Sequence, residues 1–249
     1  SVNKAIKNIN KNISSKLKGL DANNQKNIDK VLLDLDGTEN KTNLGANATL
    51  AVSLAISKCS ALSNKKPLYK NLGNGFSLPI PLMNIINGGA HADNDLNIQE
   101  FMIRPDSAKN FMDAIEKCYV VIQNLKKIMK SNKMLTNVGD EGGFAPSINS
   151  NEAALELIIN AIEKSKLQPG KDIVICLDVA ANELINEKGE YSIESQTYSS
   201  VEENINYYKK LISNYPIKSI EDPFAEEDWA AWKKITNEIG PNVQIVGDD

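Results

Sequence analysis

Three apolar runs in this sequence each end at an acid. Ile173–Leu177 leads into Asp178, Ile217–Ile220 into Glu221, and Val243–Val246 through Gly247 into Asp248. Successive acids lie about one helix and return apart, the spacing of strands joined by helices. Strands connected that way point in one direction, so their C-terminal ends share a rim. Three carboxylates are therefore expected on one side of the molecule. Left alone they repel one another and are costly to desolvate. A hard divalent cation removes that cost, and an all-oxygen donor set without Cys or His suits Mg²⁺ better than Zn²⁺. Taken singly, each acid also reads as a helix N-cap or a surface residue. Asp222 and Asp249 stand beside two of the three, and side-chain alternation predicts that one member of each pair faces the site.

Further segments could serve the same rim. Gly88-Gly89-Ala90-His91 lets the backbone approach something closely and presents an imidazole, and Gln99-Glu100 precedes the apolar Phe101-Met102-Ile103. Gly139-Asp140-Glu141-Gly142-Gly143 holds two acids in a glycine-flanked loop. Such acids can donate protons where burial or a neighbouring acid raises their pKa. Plain turns and a structural histidine are the alternative readings. His91 and Arg104 are the chain's sole histidine and arginine. A phosphate clamp or proton shuttle must use these two, lysine, or residues outside the chain.

The elements that would position these groups follow from periodicity. Val2, Ile6, Ile9, Ile13 and Leu17 share one helix face, and Ile28, Val31 and Leu32 belong to a second helix ending at Asp36-Gly37-Thr38. Leu44–Leu62 is rich in Ala, Leu, Val and Ile, which predicts a largely buried helix. Gly73, Gly75 and Pro79 break the pattern, and we place a boundary between domains 1–73 and 74–249 there. Beyond it, strand-length runs at Pro81–Ile86 and Phe101–Ile103 precede a helix carrying Phe111, Ile115, Cys118, Ile122, Leu125 and Met129, and a second carrying Leu155, Ile158, Ile159 and Ile162. From Ile173 onward strands and helices alternate, with a Ser200/Glu203 capping box and a helix at Trp229–Ile239. Strands apolar on both faces with helices between them predict an α/β fold with a parallel sheet.

Composition narrows the classes. Hydrophobic residues are 41% and charged residues 24% of 249, which excludes a disordered chain. A net charge of −4 argues against a nucleic-acid or anionic-membrane partner. No apolar run reaches the roughly 18 residues a membrane helix needs. Cys59, Cys118 and Cys176 lack metal-type spacing and read as buried reduced thiols, hence a cytoplasmic setting. The chain opens on Ser1 rather than Met and stops just past an apolar run, so it is expected to be a fragment.

Taken together the motifs resemble the enolase family. The likeness rests on Leu35-Asp36-Gly37-Thr38 with Asn40-Lys41, Leu44-Gly45-Ala46-Asn47-Ala48, and Met83 through Ala92. It continues in Gln99 through Ile103, Val138 through Gly143, Ser219 through Pro223, and Val246 through Asp249. The resemblance implies a partial β/α (TIM-like) barrel, with an antiparallel pair among its early strands, preceded by a mostly helical remnant of an α+β capping domain. It implies reversible dehydration of 2-phosphoglycerate to phosphoenolpyruvate, in glycolysis. On the family pattern Asp178, Glu221 and Asp248 hold the tighter of two Mg²⁺ ions. Glu141 is the general acid with Glu100 its partner, and His91 and Gln99 contact substrate, alongside Glu100, Glu221 and Asp248.

The family's catalytic Lys base and phosphate-holding Arg and Ser belong to segments that follow Asp249 in the pattern, and its mobile serine loop belongs before Ser1. The fragment alone is therefore expected to be inactive and not stably monomeric, and the full-length protein to be a dimer or octamer. The alternatives are another enzyme of the superfamily, a racemase or cycloisomerase, and a non-catalytic binding or structural relative.

Overall fold

The computed structural model describes residues 2–75, 77–139, 141–194, 196–198 and 200–249. The chain divides into two compact units, Ser1–Ser77 and Leu78–Asp249.

The first unit is helical: α1 (Val2–Lys7), a π-wound segment (Asn8–Ile13), α2 (Ser14–Leu17), α3 (Gln25–Asp36), α4 (Ala46–Ser63) and α5 (Leu68–Leu72). Its small core joins Ala5, Ile13, Ile28, Leu32, Leu44 and Ala48. Asp36, at the end of α3, organises the turn that follows: its Oδ2 accepts the Leu44 N–H at 2.7 Å and its Oδ1 the Thr38 N–H at 3.1 Å. These bonds to backbone and to the Thr38 hydroxyl hold its carboxyl below its ordinary pKa. Two expectations fail on α4. The helix was expected to be largely buried, yet Leu50, Leu54 and Leu62 are exposed and Cys59 lies on the surface. An apolar composition without a helical period does not say which face is covered.

The second unit carries a five-stranded sheet in the order β1 (Met83–Asn87), β2 (Glu100–Arg104), β3 (Val174–Asp178), β6 (Ile217–Glu221), β7 (Gln244–Val246). Strand β2 is antiparallel to both β1 and β3, whereas β3/β6 and β6/β7 are parallel. β1 and β7 form its edges, so the sheet is open: an α/β unit of partial-barrel type. A separate hairpin, β4 (Tyr191–Ile193) with β5 (Gln196–Tyr198), had no sequence signal, because its three-residue strands contain no apolar run.

The helices are α6 (Phe111–Ser131), α7 (Asn151–Lys164), α8 (Val201–Asn214) and α9 (Trp229–Ile239). Side-chain oxygens of Asn110, Ser150, Ser200 and Asp228 each accept an N–H three residues on, satisfying first-turn donors. Their apolar stripes cover one face of the sheet, where Phe101, Ile103, Ile175, Leu177 and Ile220 are buried. Alternation turns Met102, Val174 and Cys176 to the opposite face, where they form a second buried cluster. No helix among the described residues is long and apolar enough to cross a membrane.

Candidate active site

The register of the sheet sets a row of residues at one end. Asn87 pairs with Glu100, Glu100 with Asp178, Asp178 with Glu221, and Glu221 with Val246. Because β2 runs against its neighbours, its first residue arrives where β1, β3, β6 and β7 finish. Glu100 therefore reaches the same rim as acids that end parallel strands. By alternation Glu100, Asp178 and Glu221 share the face of Met102, Val174 and Cys176, away from the helices.

Ligand-capable atoms gather in two groups. Oxygens of Asp178, Glu221 and Asp222 lie within 4.8 Å of one another, and so do those of Glu100 and Glu141 with a nitrogen of His91. Asp178 is buried, with Oδ2 accepting the Gln99 side-chain N–H at 3.1 Å and Oδ1 the Ala180 N–H at 3.0 Å. Burial nevertheless pushes its carboxyl up, helped by the charges of Asp222 and Asp249. Burial also pushes Glu221 up to about 7, with Asp178, Asp222, Asp248 and Glu100 adding repulsion. Glu100 rises to about 7 for the same first reason, with Asp178, Glu141 and Asp248 raising it and His91 lowering it. Crowded carboxylates of this kind are what a bound dication relieves.

Asp222 departs from the expectation. Alternation along β6 predicts that it faces away from Glu221, but its backbone is left-handed, with φ of 44°. That turn swings its carboxylate back among those of Asp178 and Glu221. Only its place beside Glu221 could have flagged it in the sequence. Asp248 is exposed, stands outside that metal-competent group, and reaches it through its backbone N–H, which donates to Asp222 Oδ1 at 3.0 Å. Its charge still bears on both Glu221 and Glu100.

The histidine and the glycine loop are held by backbone. Gly88 donates to Gln99 O at 2.9 Å and Gly89 to Leu96 O at 2.8 Å. A Cβ on Gly88 would stand 2.5 Å from Ile98 O, so only glycine fits. His91 Nδ1 then lies 3.6 Å from Glu100 Oε1. The loop bearing Glu141 closes on itself, Gly139 N–H donating to Gly143 O at 2.8 Å, and the buried Asn87 side chain donates to the same carbonyl at 2.8 Å. Asn84 donates in turn to Asn87 Oδ1. Glu141 itself is exposed at the tip, and Asp140 lies outside the described residues.

An open barrel-type sheet with acids gathered on its C-terminal rim narrows the comparison with known proteins. The family model described as "Enolase, C-terminal TIM barrel domain" matches residues 75–249, and "Enolase, N-terminal domain" matches residues 1–72. The chain belongs to the enolase family. A relative named "Enolase", from Pelagibacter ubique (strain HTCC1062), is 58% identical over 243 residues, which is 97% of this chain. The chain spans 58% of that enolase's length.

The all-oxygen group of the enolase rim fits a Mg²⁺ ion. Its members are carboxylates, they repel one another, and no lysine or arginine among the described residues forms an ion pair with them. The second group, with an imidazole beside two carboxylates, has the composition of an acid–base pair and its modulator.

Proposed function

We propose that the polypeptide carrying this chain dehydrates 2-phosphoglycerate reversibly to phosphoenolpyruvate, as a cytoplasmic lyase of glycolysis. The observation that supports the reading is the row across β1, β2, β3 and β6, in which Glu100, Asp178 and Glu221 stand level at one end of the sheet, with Glu141 near Glu100 from its loop. Asp178, Glu221 and Asp248 would hold the tighter Mg²⁺. When bound, the ion neutralises charge that accumulates on the substrate carboxylate as the neighbouring proton leaves.

The chain's own residues supply the other half. Glu141 carries the proton that accompanies the departing hydroxyl, since an unassisted hydroxide is a poor leaving group. Glu100, half-buried against Asp178 and raised to about 7, keeps a proton available at neutral pH and shares it with Glu141. Its partner His91 and the Asp178-bound Gln99 line the substrate side. A second Mg²⁺ would be held together with the substrate and would supply further neutralisation of its negative charge. The proton-abstracting lysine and the phosphate clamp would come from further staves of the barrel, so residues 1–249 alone would not turn over. The domain boundary we place at 73/74 falls just before the division of the compact units between Ser77 and Leu78, and the full-length enzyme would assemble as a dimer or octamer.

The test is phosphoenolpyruvate formation by the polypeptide that carries these residues, beside its Glu141→Gln variant and beside residues 1–249 alone. Turnover is expected in the first and at least about 100-fold less in the variant. Racemase or cycloisomerase activity in place of dehydration overturns the reading, as does full activity in the variant. Turnover by residues 1–249 alone overturns the assignment of the base to other staves.

A further inference from the structure

Asp222 is tied down at each of its polar positions. Its N–H donates to Val246 O at 3.1 Å and its carbonyl accepts the Ala181 N–H at 3.0 Å. Its Oδ1 accepts the Asp248 N–H at 3.0 Å and its Oδ2 the Asp249 N–H at 2.9 Å. The residue is 4% exposed, and its backbone is left-handed, with φ of 44°. Both carboxylate oxygens thus meet backbone amides of the segment that carries Asp248. That segment directly follows the three-residue strand Gln244–Val246.

We propose that Asp222 is a positioning residue: its carboxylate grips the Asp248 and Asp249 amides and thereby holds Asp248 on the rim beside Glu221. The inference rests on the reading that Asp178, Glu221 and Asp248 hold the cation. The left-handed turn at Asp222 serves it directly, since an extended residue there would aim its carboxylate to the opposite face and leave both amides free. Asp222 thus acts on the ion through Asp248, and its loss matters only where Asp248 is present to be misplaced. Outer partners of this kind change metal affinity by about 10–100-fold.

A double-mutant cycle on Mg²⁺ affinity, measured by calorimetry in the polypeptide that carries this chain, isolates the effect. Asp222→Asn is expected to weaken Mg²⁺ binding at least about tenfold when Asp248 is present, and by less than about twofold in an Asp248→Ala background. An equal loss in both backgrounds overturns the proposal and makes Asp222 a ligand or a bare charge. Unchanged affinity on Asp222→Asn overturns it too. Amide exchange gives a second readout that needs no variant. The Asp248 and Asp249 amides are expected to exchange slowly in the unsubstituted protein, and exchange as fast as in an unstructured peptide refutes the grip even if Asp222→Asn does not fold. Asp178→Asn separates the two levels: unchanged Mg²⁺ binding there removes the metal assignment itself, whereas a loss there with no coupling between Asp222 and Asp248 removes only the grip.

Discussion

Without a cation, the acid rim should make the protein less stable as pH rises, and Mg²⁺ should cancel the effect. The perturbation is a pH series from 5 to 8 in chelator, repeated in millimolar Mg²⁺. Burial raises Glu221 and Glu100 from 4.5 to about 7 in the folded protein. The folded state therefore binds their protons more tightly than the unfolded chain does. A protonated carboxyl favours folding fully below about 4.5, and that advantage disappears as pH climbs through about 7. Each pH unit spanned is worth about 1.4 kcal/mol. Both groups keep some solvent, which screens the repulsion, so we expect ~1–1.5 kcal/mol from each. Together they lower stability by ~2–3 kcal/mol between pH 5 and pH 8, or a melting point lower by about 5–10 °C for a chain of this size. Calorimetric melting is the assay. Magnesium should add little at pH 5, where it competes with protons, and restore most of the loss at pH 8. Glu221→Gln should flatten the metal-free slope by about half. A metal-free melting point level across the range refutes the reasoning, and so does equal stabilisation by Mg²⁺ at pH 5 and 8.

Two further expectations concern packing. Gly143→Ala places a Cβ 2.9 Å from Asn84 Oδ1, Ile85 C and Ile86 N, which forces β1 and the Glu141 loop apart. It should cost ~1–3 kcal/mol in denaturant unfolding, and a midpoint unchanged from the unsubstituted protein contradicts the clamp described at Asn87. Cys118 and Cys176 are buried with thiols pushed up to about 12, whereas Cys59 is exposed. Alkylation followed by mass spectrometry should label Cys59 alone in the native state and all three after unfolding.

Much of this molecule was legible one segment at a time. Apolar residues recurring every three or four positions marked α6, α7 and α9, a Ser200/Glu203 capping box marked α8, and the apolar runs that stop at Asp178 and Glu221 are the strands β3 and β6. The glycines before His91 announced close backbone approach, which Gly88 makes, whereas the close approach at Gly143 was not read from its loop. Such signals are local, because side-chain period and backbone freedom belong to a few consecutive residues. Where a segment had no period the reading faltered. The largely apolar α4 gave no hint that Leu50, Leu54 and Cys59 would be exposed, and the three-residue strands of the β4–β5 hairpin left no trace.

The site needed the tertiary structure at three points. The sequence places Glu100 at the start of an apolar run, but only the reversed direction of β2 brings it level with Asp178. The Glu141 loop carries its acid in plain view, yet its anchor is Asn87, on a strand distant in the chain. Asp222 obeys no alternation: its backbone is left-handed, and its carboxylate meets the amides of Asp248 and Asp249, far along the chain. Residue types and their order therefore determined which acids exist and roughly where elements end. Which of them meet was decided by strand direction and by hydrogen bonds across long sequence separations, which no short window of residues contains.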